Sequence, residues 1–165
     1  MNRKRQTERI TLRPWQEEDV SEIIPAFADE NWSAYLGGRK DAEGCWRLIA
    51  GYMGHWEMRG YGYWALEDKS TARLLGGAGL WHSPQWPALE LGYWILPAYQ
   101  RQGYAMEACQ HILESVSQEM QPDSLVSFIH PDNQPSQALA LRLGGKKEAA
   151  IPLLTFGPHL VFRYW

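Results

Sequence analysis

No stretch of this chain is apolar for long, cysteine is scarce, and positive charge is not in excess. The absence of a long apolar run excludes a membrane-crossing helix. The basic start Arg3-Lys4-Arg5 is followed by no apolar segment, so it is not a signal or transit peptide of the usual kind and reads as a solvated tail. The two cysteines, Cys45 and Cys109, do not make a metal-spacing pair, and reduced, packed thiols are expected. Lys and Arg number 16 against 19 Asp and Glu, a formal net charge of -3, which argues against a broad basic face for nucleic acid and leaves only a local basic pocket open. The five histidines, His55, His82, His111, His130 and His159, have no ligand spacing, so no metal site is expected. Repeats and low-complexity segments are absent as well. Together these point to a cytoplasmic protein.

What is present is the balance of a globular protein, 45% apolar and 21% charged, in 165 residues, enough for one domain over 1–165 with about residues 1–8 flexible. The nine tryptophans are unusual. They are expected mostly in the core, although such rings also line grooves for elongated organic ligands and bury subunit interfaces, so a homodimer stays open.

The pattern reads as a strand over Arg9–Pro14, a helix over Glu17–Asp29, a loop or short turn over Glu30–Gly38, and a helix over about Ala42–Met58 with Trp46, Ile49, Ala50, Met53 and Trp56 inward. Three strands follow as a meander, Tyr61–Glu67, Leu74–Trp81 and Ala88–Leu96. A helix over about Tyr104–Met120 turns Ala105, Ala108, Cys109, Ile112, Leu113 and Val116 inward, and a strand at Leu125–Ile129 should then lie parallel to the one before that helix. A helix over about Pro135–Leu143, capped by Asn133 and ended by Gly144, precedes closing strands near Lys146–Leu154 and Leu160–Tyr164. The fold class is α/β of the α+β kind: a mixed, mostly antiparallel sheet of six to seven strands with about four helices.

The most telling segment is Glu90 to Ala105. An apolar strand breaks at Pro97 and leads through Gln100-x-x-Gly103-x-Ala105 into a helix. Gly103 and the small Ala105 allow close backbone approach, and the free amides of a helix's first turn face an anion, with Arg101 adding charge. A glycine turn alone is weak evidence for phosphate; its setting between a strand and an inward-facing helix raises it.

This order of elements, with Gln100-x-x-Gly103-x-Ala105 and a later Asn133-x-x-Ser136 helix ending in Leu143-Gly144, resembles the GNAT family of acyl-CoA-dependent N-acyltransferases over essentially the whole chain. The Glu90-x-Gly92-Tyr93-Trp94 strand is similar to the branch that holds ribosomal-protein N-terminal acetyltransferases. The resemblance implies that the fourth and fifth strands run parallel and splay apart. It implies transfer of an acetyl group from acetyl-CoA, a co-substrate needing no metal, to a primary amine by direct attack in a ternary complex. It places the cofactor against Trp94, Ile95, Leu96, Gln100, Arg101, Gln102, Gly103, Tyr104, Ala105 and Asn133. Glu90 is the candidate base and Ser136 the candidate acid, while Trp32, Tyr35, Trp81 and His82 fall where relatives bind the acceptor. Ordinary roles compete at each: a strand glutamate for Glu90, helix capping for Ser136 and Asn133, a structural hydrogen bond for His130, a solvated helix end for Asp29 and Glu30.

Two departures stand out. Gly145 replaces the usual Phe, and Ala140 stands where many relatives carry a tyrosine acid. They motivate an alternative, a non-catalytic acyl-CoA-binding or regulatory protein. The acceptor is open between a protein N-terminus and a small-molecule amine. A lysine amine of pKa about 10.4 is neutral in roughly one molecule in 2,500 at pH 7, an α-amine near 7.7–8.0 in about one in ten, so an α-amine needs less help to react.

Overall fold

A computed structural model describes residues 1–165. The elements are β1 Arg5–Gln6, β2 Ile10–Arg13, α1 Asp19–Phe27, α2 Glu30–Ser33, α3 Ala42–Arg59, β3 Tyr63–Asp68, β4 Leu74–Trp81, β5 Glu90–Ile95, α4 Tyr104–Glu119, β6 Val126–Ile129, α5 Gln134–Arg142, β7 Lys146–Pro152 and β8 Pro158–Arg163. Short 3-10 turns lie at Pro97–Tyr99 and Leu154–Phe156. One eight-stranded sheet has the order β1-β2-β3-β4-β5-β6-β8-β7, and only β5 and β6 pair in parallel. The mixed, mostly antiparallel sheet is as the sequence implies, with eight strands and five helices in place of six to seven and four. No helix is long and apolar enough to cross a membrane.

Alternation along the strands divides the interior in two. On β3, Trp64 and Leu66 face a core that contains Ala108, Cys109, Ile112 and Val116 of α4, whereas Tyr63 and Ala65 face a second core with Ile23 and Phe27 of α1 and Cys45, Ile49 and Tyr52 of α3. Each large, fully buried aliphatic side chain among these, such as Ile112 or Ile49, contributes about 1.5–3 kcal/mol by leaving water. A buried ion pair pins the entry to α1: Arg13 donates from both terminal nitrogens to Asp19, at 2.9 and 2.8 Å, and from Nε to Glu67 at 2.6 Å.

Three expectations are corrected. Arg5, read as part of a solvated start, has a side chain only 11% exposed; it donates to Ser115 at 2.9 Å and pairs with Glu119 at 2.6 Å, and Arg5–Gln6 forms an added edge strand. The inward face of α3 is Cys45, Ile49, Tyr52 and Trp56, while Trp46 and Met53 are 49% and 46% exposed. Two apolar stripes share Ile49, and the buried one wins because its polar tips find partners: Tyr52 accepts from Trp94 Nε1 at 3.3 Å, and His55 on the same side bonds the Tyr61 carbonyl at 2.8 Å and accepts from the His82 amide at 3.2 Å. The tryptophans are not mostly core: Trp15, Trp56, Trp64 and Trp94 are buried, Trp32, Trp81 and Trp86 are half-buried, and Trp46 and Trp165 are exposed.

Candidate active site

The site begins with a failure of strand pairing. β5 and β6 share one register position, Glu90 opposite Val126, where the Val126 amide donates to the Leu89 carbonyl at 3.1 Å. The next rung of a regular parallel ladder would join the Phe128 amide to the Leu91 carbonyl. Each finds a side chain instead: Phe128 N–H donates to Glu90 Oε1 at 3.3 Å, and the Ser127 hydroxyl donates to Leu91 O at 2.6 Å while lying 3.0 Å from the Tyr164 hydroxyl. Glu90 and Ser127 therefore satisfy the polar groups that the splay exposes, and beyond them the strands diverge.

Above that point a cleft of 800 Å³ lies between β5 and α5, walled by Trp94, Ile95, Gln100, Arg101, Gly103, Tyr104, Ala105, Asn133 and Ser136. Because the Leu96 amide is spent on Leu75 O at 2.8 Å, the backbone of Glu90, Gly92, Trp94 and Leu96 faces β4, and that of Leu91, Tyr93 and Ile95 faces the cleft. Ile95 O already accepts from Trp32 Nε1 and Gln100 Nε2, both at 3.2 Å, leaving the Tyr93 amide and carbonyl as the strand's open hydrogen-bonding pair. At the cleft's end α4 starts without a side-chain cap. Its N-cap is Gly103 at φ 86°, a left-handed conformation costly for other residues, and Arg101 beside it has φ 61°. The first-turn amides of this 16-residue helix thus stay available to an anion.

A second cavity of 460 Å³ opens from the same region and shares Tyr35, Leu36, Tyr93, Trp94, Asn133 and Ser136 with the first. Glu90 lines it, together with Tyr52, Tyr63, Trp81, Trp86 and Phe128. Burial pushes the Glu90 carboxyl up to about 7, opposed by the hydrogen bonds from the Phe128 amide and from Trp86 Nε1, the latter at 2.8 Å. A carboxyl poised at neutral pH inside an aromatic cavity suits proton exchange. Lys40 also lines this cavity, but its ammonium is committed to the Leu36 and Gly38 carbonyls at 2.7 and 3.0 Å and lies 5.0 Å from the Phe27 ring; burial lowers its pKa.

The structure brings Glu90, Ser136 and most of the cofactor turn to these two connected spaces. Asn133 caps α5 by accepting from the Ser136 amide at 3.3 Å; the Ser136 hydroxyl is not the cap and is left at the junction of the cavities, while Tyr93 donates to the Ser136 carbonyl at 3.1 Å. Gln102 stands outside the cleft, with its carbonyl held by Arg9 at 3.0 Å. Of the four acceptor candidates, Tyr35 and Trp81 border the Glu90 cavity; Trp32 lies on the cleft side and His82 lines neither space, its amide being spent on His55. His130 makes a structural bond, accepting from the Asp132 amide at 3.2 Å, and Asp29 caps α2 through the Asn31 and Trp32 amides. Tyr52, Tyr63 and Trp86 were not legible as site residues. Only the interior glycines Gly79 and Gly92, which mark a close approach to a strand, hinted at what lies over the sheet.

Residues 9–146 match the family model described as an acetyltransferase (GNAT) domain. YoaA of Bacillus subtilis, an uncharacterized N-acetyltransferase, is 24% identical over 149 residues, covering 88% of this chain and 84% of its own length. The crystal structure of an acetyltransferase from Agrobacterium tumefaciens superposes with a TM-score of 0.89 at 29% identity, covering 98% of this chain and 94% of that one. RimL, a ribosomal L7/L12 α-N-protein acetyltransferase solved with coenzyme A, shares the fold at a TM-score of 0.73 and 20% identity, over 96% of this chain and 93% of that one.

Proposed function

The chain belongs to the GNAT acetyltransferase family, and from that premise we propose that it transfers an acetyl group from acetyl-CoA to a primary amine, which attacks directly while both substrates are bound. One observation carries this reading: the splay of β5 from β6 links an uncapped helix start to the cavity of a half-buried carboxyl, with an unpaired serine side chain where the two spaces meet. The residues fit acetyl-CoA. The amides from Tyr104 onward and Arg101 suit its pyrophosphate, and the Tyr93 amide and carbonyl suit the amide-bearing arm. When bound, acetyl-CoA supplies an activated acetyl group.

The chain's own residues handle the protons. Glu90, ionised in about half the molecules near pH 7, takes the proton of the acceptor ammonium, directly or through water, and the Ser136 hydroxyl is placed to protonate the departing thiolate. The absence of a tyrosine acid at residue 140 fits this assignment: Ala140 is fully buried against Ile129 and Phe162, so nothing from that position reaches the cleft. The carboxyl at about 7 suits an α-amine better than a lysine, since proton transfer from a group near 8 is nearly balanced. A protein N-terminus is therefore the favoured acceptor class, in line with the ribosomal-protein enzyme of the same fold.

The test is acetyl-CoA-dependent release of free thiol across an amine panel containing peptides that begin with Ser, Ala or Met, and benzylamine. Release above the acceptor-free rate supports the reading. Release with no member of the panel contradicts it.

A further inference from the structure

Three residues in lateral register, Tyr63 on β3, Gly79 on β4 and Gly92 on β5, form a row in which only the first has a side chain. The Tyr63 ring reaches across the sheet toward β5. Its hydroxyl arrives over Gly92, where a Cβ added to that glycine would lie 1.8 Å from the phenol oxygen and 3.0 Å from Cζ. By strand alternation, Gly92 lies between Glu90 and Trp94 on the same face of β5. The phenol oxygen therefore takes the place of a residue-92 side chain on the wall of the Glu90 cavity, which Tyr63 and Gly92 both line.

The ring is held rigidly. It stacks on Tyr52 with centroids 4.4 Å apart and planes 3° from parallel, and the residue is 9% exposed. Yet the hydroxyl has no partner in the protein. Three neighbouring tyrosines are paired, Tyr52 with Trp94 Nε1, Tyr93 with the Ser136 carbonyl and Tyr164 with Ser127, whereas Tyr35, also on this cavity, is unpaired but 44% exposed to solvent. The oxygen is not sealed among protein atoms but is reached from the cavity, so its hydrogen-bonding capacity is turned toward whatever occupies that space. Burial and the nearby carboxyl of Glu90 hold the phenol neutral, so it presents both a donor and an acceptor.

We propose that the Tyr63 hydroxyl is a further residue of the active site, a hydrogen-bonding partner that accepts an N–H of the acceptor amine and orients its lone pair while Glu90 takes its proton. This rests on the acetyltransferase reading above. It assigns Gly92 a purpose, since a side chain there would displace the hydroxyl from the nitrogen's place.

Tyr63→Phe keeps the ring and its stacking on Tyr52 and removes only the oxygen. With a peptide bearing a free α-amine, or with benzylamine, kcat/KM should fall about tenfold, with KM for acetyl-CoA within about twofold of wild type. The melting temperature should be unchanged or slightly higher, because no bond within the protein is lost, whereas a structural tyrosine would lower it. Gly92→Ala should reduce kcat/KM in the wild-type background and reduce it less in Tyr63→Phe, where the added methyl meets the ring carbon at 3.0 Å but no longer an oxygen at 1.8 Å. Wild-type kcat/KM in Tyr63→Phe, or an activity loss matched by a fall in melting temperature, would overturn the inference alone. Failure of the wild-type protein to acetylate any probe would instead overturn the proposed function, and this inference with it.

Discussion

At the scale of single residues, the structural place of Glu90 and the role proposed for it pull in different directions. Its carboxylate accepts from the Phe128 amide and from Trp86 Nε1, closing the gap where β5 leaves β6, and burial at the same time raises its pKa from 4.5 to about 7. For the activity the sign is simple: a base must be unprotonated, so kcat/KM should rise with pH through a limb near 7. A Glu90→Gln variant should lose that limb and about tenfold or more of kcat/KM at pH 8, keeping only the titration of the amine itself. An unchanged pH profile would remove Glu90 from the mechanism. For stability the folded chain holds the Glu90 proton more tightly than the unfolded chain, so this group favours folding most at low pH, and that contribution is lost as pH rises from about 4.5 through about 7. Ser136 is simpler. Asn133 does the capping, so Ser136→Ala should lower kcat about tenfold or more without moving the melting temperature; wild-type kcat in that variant would leave the thiolate's proton donor elsewhere.

At the scale of elements, the cofactor side was readable in the sequence because its parts are contiguous. The strand, the Gln100-x-x-Gly103 turn and the helix start occupy 16 consecutive residues, Glu90 to Ala105, and local rules for glycine and helix caps apply to them directly. The space around Glu90 was readable only in part: Tyr35 and Trp81 border it, but Tyr52, Tyr63, Trp86 and Phe128 come from α3, β3, a loop and β6 and meet only through sheet order and strand register. The inner face of α3 shows the same limit, since two apolar stripes share one helix and partners elsewhere in the fold decide between them. The β2–α1 junction holds the Trp15 ring, which stacks on Trp94 at 5.6 Å, and it depends on the buried pair of Arg13 with Asp19, whose side chains are 13% and 3% exposed. Asp19→Ala leaves a buried guanidinium short of a partner. The expected cost is about 3–5 kcal/mol, read as a melting temperature lower by roughly 10 °C or more. A shift of a degree or two would show that water or Glu67 compensates.

At the scale of the whole molecule, one open sheet separates two cores and, at its single parallel pair, diverges to leave two adjoining spaces. The arrangement accounts for the charge as well. An overall charge of -3 is compatible with an anionic co-substrate because the attraction is local, set by the uncapped start of α4 and by Arg101 rather than by a basic surface. Everything on the acceptor side presupposes that this helix start receives a pyrophosphate. Calorimetric titration of coenzyme A into the wild-type protein and into Gly103→Glu tests that most directly, because the substitution brings a carboxylate and a strained backbone to the turn while leaving the Glu90 cavity untouched. The account predicts saturable one-to-one binding in the micromolar range for the wild-type protein and binding weaker by about a hundredfold or more in the variant. Equal affinity in the two proteins, or no saturable binding to the wild-type chain, would contradict it.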